Sequence, residues 1–466
     1  MKIVTLWTDW VVFFVLAALC TYIWRVARTP HLAVTWRKAF LSAPGSAAAT
    51  VLAMFVAIGV IDSLHYRPLL EAAPGKEAVY APETLSLLDH LLAAQREGKE
   101  RSYSAPLAYV AFEKEAVIVN GEPRREYQRL AHAGNHLQVP EQDWAGDISR
   151  RCLVGAVLGL LLAALVVAAY LLLVSRRQQI ELGLAWQRLR RGEGRYPVRT
   201  VLATVAVLCL LWGVVAQLAG GYHVFGTDRV GNDLLYVVLK SLRTALVIGT
   251  MSTLVTMPIA VGLGIMAGYL RGWVDEVIQY LYTVINSIPY VLLIAATVLI
   301  LMVFIENNGD LFPTSAQRTD ARLFFLCVIL GMTSWTDLCR LIRGEVIKLR
   351  EAEYIQAAQA FGVSTWRILS VHLLPNVMHL ILISLVINFS GLVLAEAVLS
   401  YVGIGVDPSM QSFGTLINTA RLELSREPAV WWTLATAFVF MFSLVLSANL
   451  FSDAIRDAFD PRAIHK

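Results

Sequence analysis

The stretch EYIQAAQAFGVSTWRILSVHLLPN, residues 353–376, is partly polar, holds one Gly and one Pro, and lies between two strongly apolar runs. Its local chemistry predicts a helix, a sharp turn and a second helix. Glu351 and Glu353 suit the positive end of a helix dipole, and Ala357, Ala358 and Ala360 favour helix over 351–361. Gly362 stands where such a helix ends in a left-handed residue, a conformation that disfavours any side chain with a Cβ. Ser364 is placed to cap a second short helix through His372, and Pro375 to stop it and open the next. The small Ala357 and Ala358 would let another surface approach closely.

The flanks say what kind of protein holds this element. Of the 466 residues 57% are apolar and 16% charged, a balance outside the soluble globular range. Runs of about 20 unalternated apolar residues predict helical spans rather than a barrel. Nine candidates stand out, near 6–24, 45–62, 152–175, 199–219, 242–268, 279–304, 321–339, 377–400 and 430–450. The first, LWTDWVVFFVLAALCTYIW, is expected to be a retained span, because its arginines (Arg25, Arg28) follow the apolar run rather than precede it. The five cysteines lie in or beside apolar runs without metal-ligand spacing, which predicts neither a disulfide framework nor a zinc site. A net charge of +4 gives no reason to expect a nucleic-acid partner.

Basic residues orient the spans. Arg25, Arg28, Arg37 and Lys38 fill 25–44 without an acid, and seven arginines crowd 176–199, so both loops are expected in the cytoplasm. Segment 63–149 is richer in acids and is expected outside. The N-terminus is then outside, while 353–376 and the C-terminus are cytoplasmic. Within 63–149, Leu85, Leu88, Leu91 and Leu92 form a helical stripe. AYVAF and AVIVNG predict two short strands, with Asn120-Gly121 as a turn. This gives a small extracytoplasmic α/β cap. His132 and His136 have i,i+4 spacing, but Gly134-Asn135 between them favours a solvated loop over a metal site.

The spacing Ala357-Ala358, Gly362, Leu374-Pro375 resembles the cytoplasmic loop signature of binding-protein-dependent ABC importer permeases. The wider match is to the C-type permease of the oligopeptide, dipeptide and nickel group. It runs through FGTDRVGNDLL (225–235), INSIPYVLL (285–293), SWTDLCRLIRGE (334–345), VLSYVGIG (398–405) and NLFSDAIRDAFDP (449–461), in order over roughly 199–466. Three positions depart from that pattern: Gln356 stands for a usual Glu, His372 for a usual Ile and Asn232 for a usual Arg.

The resemblance implies an all-α polytopic membrane protein with a six-helix permease core at 199–466. Two extra helices (1–62), the cap (63–149) and a third helix with a basic loop (150–198) would precede it. It implies an inner-membrane importer subunit, expected to carry peptides, pairing with a second homologous permease. Two ATPase subunits would hold ATP and Mg, since no GxxxxGK[ST] loop occurs here (PGK at 74–76 lacks its partners), and an external solute-binding protein would deliver substrate. The loop residues expected to meet the ATPases are Glu353, Tyr354, Gln356, Ala357, Ala358, Gly362 and Ser364.

Other polar residues divide between packing and transport. Asp233 is expected to cap a helix at Leu234, and Asp337 with Arg340 to form an i,i+3 pair. Gly262, Gly264 and Gly268 are spaced for close helix packing, and Pro289 for a kink. Glu396, Asn388 and Pro289 are the pathway candidates, Glu396 because a carboxylate deep in a span must face protein or water. Two other classes remain open: a membrane sensor or scaffold using 63–149, which leaves the downstream motifs unexplained, and an ion-coupled transporter, for which Glu396 is the sole mid-span candidate.

Overall fold

Apolar runs that cannot give their backbone polar groups to water satisfy them internally, and the chain is accordingly helical. The computed structural model describes residues 2–69, 80–81, 84–119, 122–192, 197–312 and 314–459. The Asn120-Gly121 turn and the PGK at 74–76 fall outside the described residues.

The chain opens with β1 (Lys2–Ile3), α1 (Trp7–Arg28), α2 (Pro30–Ala39) and α3 (Ala43–Asp62). Then come β2 (His65–Arg67), β3 (Leu85–Ser86), α4 (Leu87–Leu91), α5 (Ala93–Glu97), β4 (Val110–Val119) and β5 (Glu122–Arg129). Next are α6 (Pro140–Gln178), α7 (Leu182–Arg191), α8 (Val198–Ala219), α9 (Leu234–Leu270), α10 (Trp273–Ser287), α11 (Tyr290–Asn307), α12 (Ser315–Thr333) and α13 (Thr336–Arg350). The chain continues with α14 (Glu353–Ala360), the short α15 (Thr365–Arg367), a π-helical turn (Ile368–Leu373), α16 (Leu374–Tyr401), α17 (Phe413–Glu423) and α18 (Trp432–Phe459).

Among the described residues nine segments are long and apolar enough to cross a membrane, and they fall on the nine expected runs. The sixth differs in form. Pro289 does not bend one helix but separates α10 from α11, capping the latter. The region between α3 and α6 is a mixed cap, with two changes from expectation. Residues 110–112 of AYVAF and 116–119 of AVIVNG lie on one strand, β4, which pairs antiparallel with β5. The stripe from Leu85 to Leu92 is divided between β3, α4 and the joint to α5 instead of forming one helix. β2 joins β1 on one side and β3 on the other, which ties the start of α1 to the cap. α6 begins at Pro140, a full three turns before its apolar run.

Two apolar clusters divide the core along the spans. One gathers Ile265, Ile278, Trp335, Ile342, Ile355 and Leu373 at the end that carries α14. The other gathers Ile248, Met251, Ile294, Leu326, Leu330 and Leu399 farther along the same helices. A third, around Leu234, Leu239, Phe413 and Trp432, lies beneath the cap.

The extra helices are joined to this core by contacts that hydropathy does not reveal. Gly155 and Gly159 of α6 meet Gly213 of α8 so closely that a Cβ on Gly155 would stand 2.6 Å from the Gly213 carbonyl oxygen. On the cap side, Arg243 of α9 is buried and donates to Asp9 Oδ1 (2.7 Å), Thr8 Oγ1 (2.9 Å) and Ser63 Oγ (3.2 Å). Lys240 reaches Asp89 (2.8 Å) and Asp62 (3.1 Å). Among the described residues, the acids within ion-pair distance of these two cations, Asp9, Asp62 and Asp89, all come from the first 89 residues.

Candidate functional site

The surface at the far end from the cap is built by α14 and the turn after it. α14 ends in a Schellman motif: Gly362 N–H donates to the Gln359 carbonyl (2.9 Å) and Val363 N–H to that of Ala358 (3.0 Å). Gly362 has a φ of +72°, as the local pattern predicts. Ser364 opens the next helix through its backbone carbonyl, which accepts from Arg367 N and Ile368 N. Its hydroxyl makes no capping bond, contrary to expectation. Nor does Pro375 stop that helix. It falls in the first turn of α16, where a missing N–H leaves no vacancy, and the π turn carries the chain from α15 into α16 without a break.

One face of α14 seats the element on the inner cluster through Ile355, 0% exposed, and Ala358. Ala358 therefore packs inward rather than toward a partner. Glu353, Tyr354, Gln356, Ala357, Gly362 and Ser364 are exposed. Gln356 donates to the Glu351 carbonyl (3.2 Å), and Gln359 ties α14 to α9 through the Tyr269 hydroxyl (3.0 Å). The most prominent side chains lie outside that set of loop residues. Phe361 is 87% exposed and Trp366 76%, one on each side of the Gly362 turn. Two large apolar side chains flanking a helix-ending Gly in a polar loop were the available signal. An exposed, rigidly based tip with two aromatics is suited to seating in a cleft on another protein.

The family described as "binding-protein-dependent transport system inner membrane component" matches residues 260–465, which include this element whole. An oligopeptide transport system permease protein of Mycobacterium bovis is 32% identical over 250 residues, covering 54% of this chain and 79% of that protein. The chain belongs to this permease family. A dipeptide transport system permease protein of Lactococcus lactis is 32% identical over 241 residues, 52% of this chain and 64% of the relative's length. A glutathione transport system permease protein of Pectobacterium atrosepticum is 31% identical over 242 residues, with 52% and 73% covered. The protein is thus a multi-pass inner-membrane transport component rather than an enzyme.

Within the permease the three pathway candidates have different surroundings. Glu396 is 2% exposed and accepts from the Ser400 hydroxyl (2.6 Å) and the Ser412 hydroxyl (3.0 Å), so it lies between α16 and α17 with no surface reaching it. Asn388 is half-buried and its Nδ2 has no hydrogen-bond partner among the described residues. Ser390 of the same helix bonds Asn449 Oδ1 (2.7 Å). Pro289 is exposed at the α10–α11 joint.

The expected pair of Asp337 with Arg340 does not form. Arg340 lies 5.0 Å over the Tyr282 ring, and Arg343 makes a two-bonded pair with Asp275 (2.6 and 2.7 Å). Arg340 and Arg343 of α13 thus both turn to α10, a helix whose contacts their own sequence neighbourhood cannot show. Gly264 and Gly268 pack as expected, against Ile342 and Val346, whereas Gly262 faces open space. Asp233 caps α9 through Leu235 N–H (2.8 Å). It also holds His223 Nδ1 at 2.8 Å, and His223 Nε2 stands 3.5 Å from Glu100 of the cap. His136, whose loop lies at the start of α6, pairs with Asp147 at 2.7 Å.

Proposed function

We propose that the chain is the C-type permease of an ABC importer for peptides, and that α14 with the Gly362 turn couples it to an ATPase. The observation that carries this is the exposed Phe361–Trp366 tip on a helix whose other face is fixed in the inner core. A load on that tip reaches α9, α13 and the foot of α16 together, because Ile355 and Leu373 share one cluster with Ile265 and Ile342. ATP-driven closure of two ATPases, which hold the nucleotide and Mg, then biases the bundle between two packings. The relatives named for oligopeptides, dipeptides and glutathione support a peptide substrate. The basic loops support a cytoplasmic tip and C-terminus, with the N-terminus and cap outside. There an external solute-binding protein would deliver substrate to this chain and a second permease.

Reconstitution tests the reading. Expressed with a second permease, ATPases and a binding protein from its own source, the chain should co-purify with them and take short peptides into proteoliposomes only with ATP. Phe361→Ala with Trp366→Ala should remove the ATPases from the complex while leaving the permease pair intact. A chain that purifies alone or as a homodimer, with no ATP-dependent uptake, would count instead for a sensor or scaffold.

A further inference from the structure

Two neighbouring helices break at one level. α10 gives way to α11 at Ile288-Pro289, and α12 to α13 at Ser334-Trp335. The breaks face each other: Tyr290 Oη lies 3.4 Å from Ser334 Oγ, and Thr336 Oγ1 donates to Asn286 Oδ1 (3.0 Å). Interrupted backbone inside a span persists only against protein or water, not against lipid. A cavity of about 530 Å³ fills the notch, lined by Asn286, Ser287, Tyr290, Thr333 and Asp337 with apolar neighbours.

The helix below the notch has two exposed flanks. Glu276, Thr283 and Asn286 recur at helical spacing on one, with half-buried Gln279 between them, and Trp273, Val277, Leu281, Val284 and Ile288 on the other. The apolar flank suits lipid and the polar flank does not. The notch takes Asn286 from the polar flank and Ile288 from the end of the apolar one. Asp337 sits in it, exposed, near the end of the apolar run 321–339 and before the charged part of α13, and makes no ion pair or hydrogen bond among the described residues. Both nearby arginines are engaged elsewhere, on Tyr282 and Asp275. An uncommitted carboxylate inside a span calls for water and a cation on its open side.

We propose that this notch is the permease's section of the translocation path, and that the Asp337 carboxylate accepts a cationic group of the passing solute there. On the peptide reading above, on which this identification of the group rests, that is the peptide's ammonium.

The experiment uses the assembled complex, with the three less buried cysteines (Cys20, Cys152, Cys209) replaced and uptake retained. Asn286→Cys should react with a cationic methanethiosulfonate at least fivefold faster than with an anionic one, and adding Asp337→Asn should level the two rates. Val284→Cys on the apolar flank should stay unreactive. Asp337→Asn should also raise KM for free-amino peptides severalfold while ATPase stimulation persists, and Asp337→Glu should restore it. Asn286→Cys unreactive in the complex but reactive in the isolated permease would make the notch a subunit interface and overturn the proposal, as would rates indifferent to Asp337. Absence of peptide uptake by the unaltered complex would sink the peptide reading alone, because the thiol rates test the path without a substrate.

Discussion

Gly362 combines a φ of +72° with open space, for an added Cβ would meet nothing within 4 Å. A substitution there acts on backbone conformation alone. The left-handed region disfavours ordinary residues by about 1–2 kcal/mol, and β-branched ones more, while Asn enters it readily. Gly362→Val should therefore insert and fold but tilt the Phe361–Trp366 tip, with peptide uptake and ATPase stimulation falling at least tenfold. Gly362→Asn should keep most of both. Uptake assays on membranes with matched permease content decide it, and full transport by the Val variant would show that the turn does not carry the coupling. This residue was legible because a helix-ending Gly announces itself within six residues of chain. The burial of Ala358 and the outward Phe361 and Trp366 were not, since which face of α14 meets the core depends on Ile265 and Ile342, far away in sequence. Asp337 taught the same lesson. The i,i+3 rule sees one helix, whereas Arg343 found its partner 68 residues back, in α10.

Elements were read well where length and apolarity define them, as in the nine spans, and less well where a break depends on neighbours. Pro289 is expected to kink a helix and instead stands between two, as the N-cap of α11, beside the α12–α13 break. Pro375 is expected to end one helix and open the next; it does open α16, but a π turn joins α16 to the preceding helix without a break. The joint between the cap and the α8–α9 loop was invisible in sequence, yet it makes a definite pH prediction. Burial alone would lower the His223 pKa, but Asp233 and Glu100 outweigh it and raise it from 6.5 to about 9. Burial alone would raise Glu100, but His223 and the amides of His132, Ala131 and Ala133 bring it from 4.5 down to about 2. A raised folded-state pKa means that the His223 contribution is complete below pH 6.5 and is lost as pH rises through about 9. The Glu100 contribution is complete above pH 4.5 and is lost as pH falls toward about 2. The joint should be tightest between these limits. The melting temperature of the purified permease should drop by a few degrees between pH 6.5 and 9.5, and His223→Gln should start lower and vary less. Parallel profiles for the two proteins would remove His223 from the joint.

At the scale of the molecule, the first 198 residues look from sequence like an addition to a self-sufficient core, and the core's own charges argue otherwise. Asp9 and Arg243 are 234 residues apart in the chain and 2.7 Å apart in the fold, and Lys240 depends in the same way on Asp62 and Asp89. Periodicity could not reveal this, because a lone Arg near a helix start reads as an interfacial anchor until its burial is known. Removing one side of a buried ion pair costs about 3–5 kcal/mol, far more than the pair's own net worth. The cap adds a steric tie: a Cβ on Gly231 would collide with the Glu100 carbonyl oxygen, so loop and cap are fitted backbone to backbone. A chain trimmed to 199–466 should consequently accumulate poorly in membranes, because Arg243 and Lys240 would lose their ion-paired acids Asp9, Asp62 and Asp89, with Asp320 of α12 the carboxylate left facing Arg243 in the same cavity. Arg243→Leu with Lys240→Met in the trimmed chain should recover part of the lost protein, since those changes remove the stranded charges. The same pair in the full chain should lower its level by stranding Asp9, Asp62 and Asp89 instead. Immunoblots of the membrane fraction measure all four chains. A trimmed chain as abundant as the full one would show that the core pairs these cations for itself, whereas opposite effects of one double substitution in the two backgrounds would establish that extension and core are one folding unit.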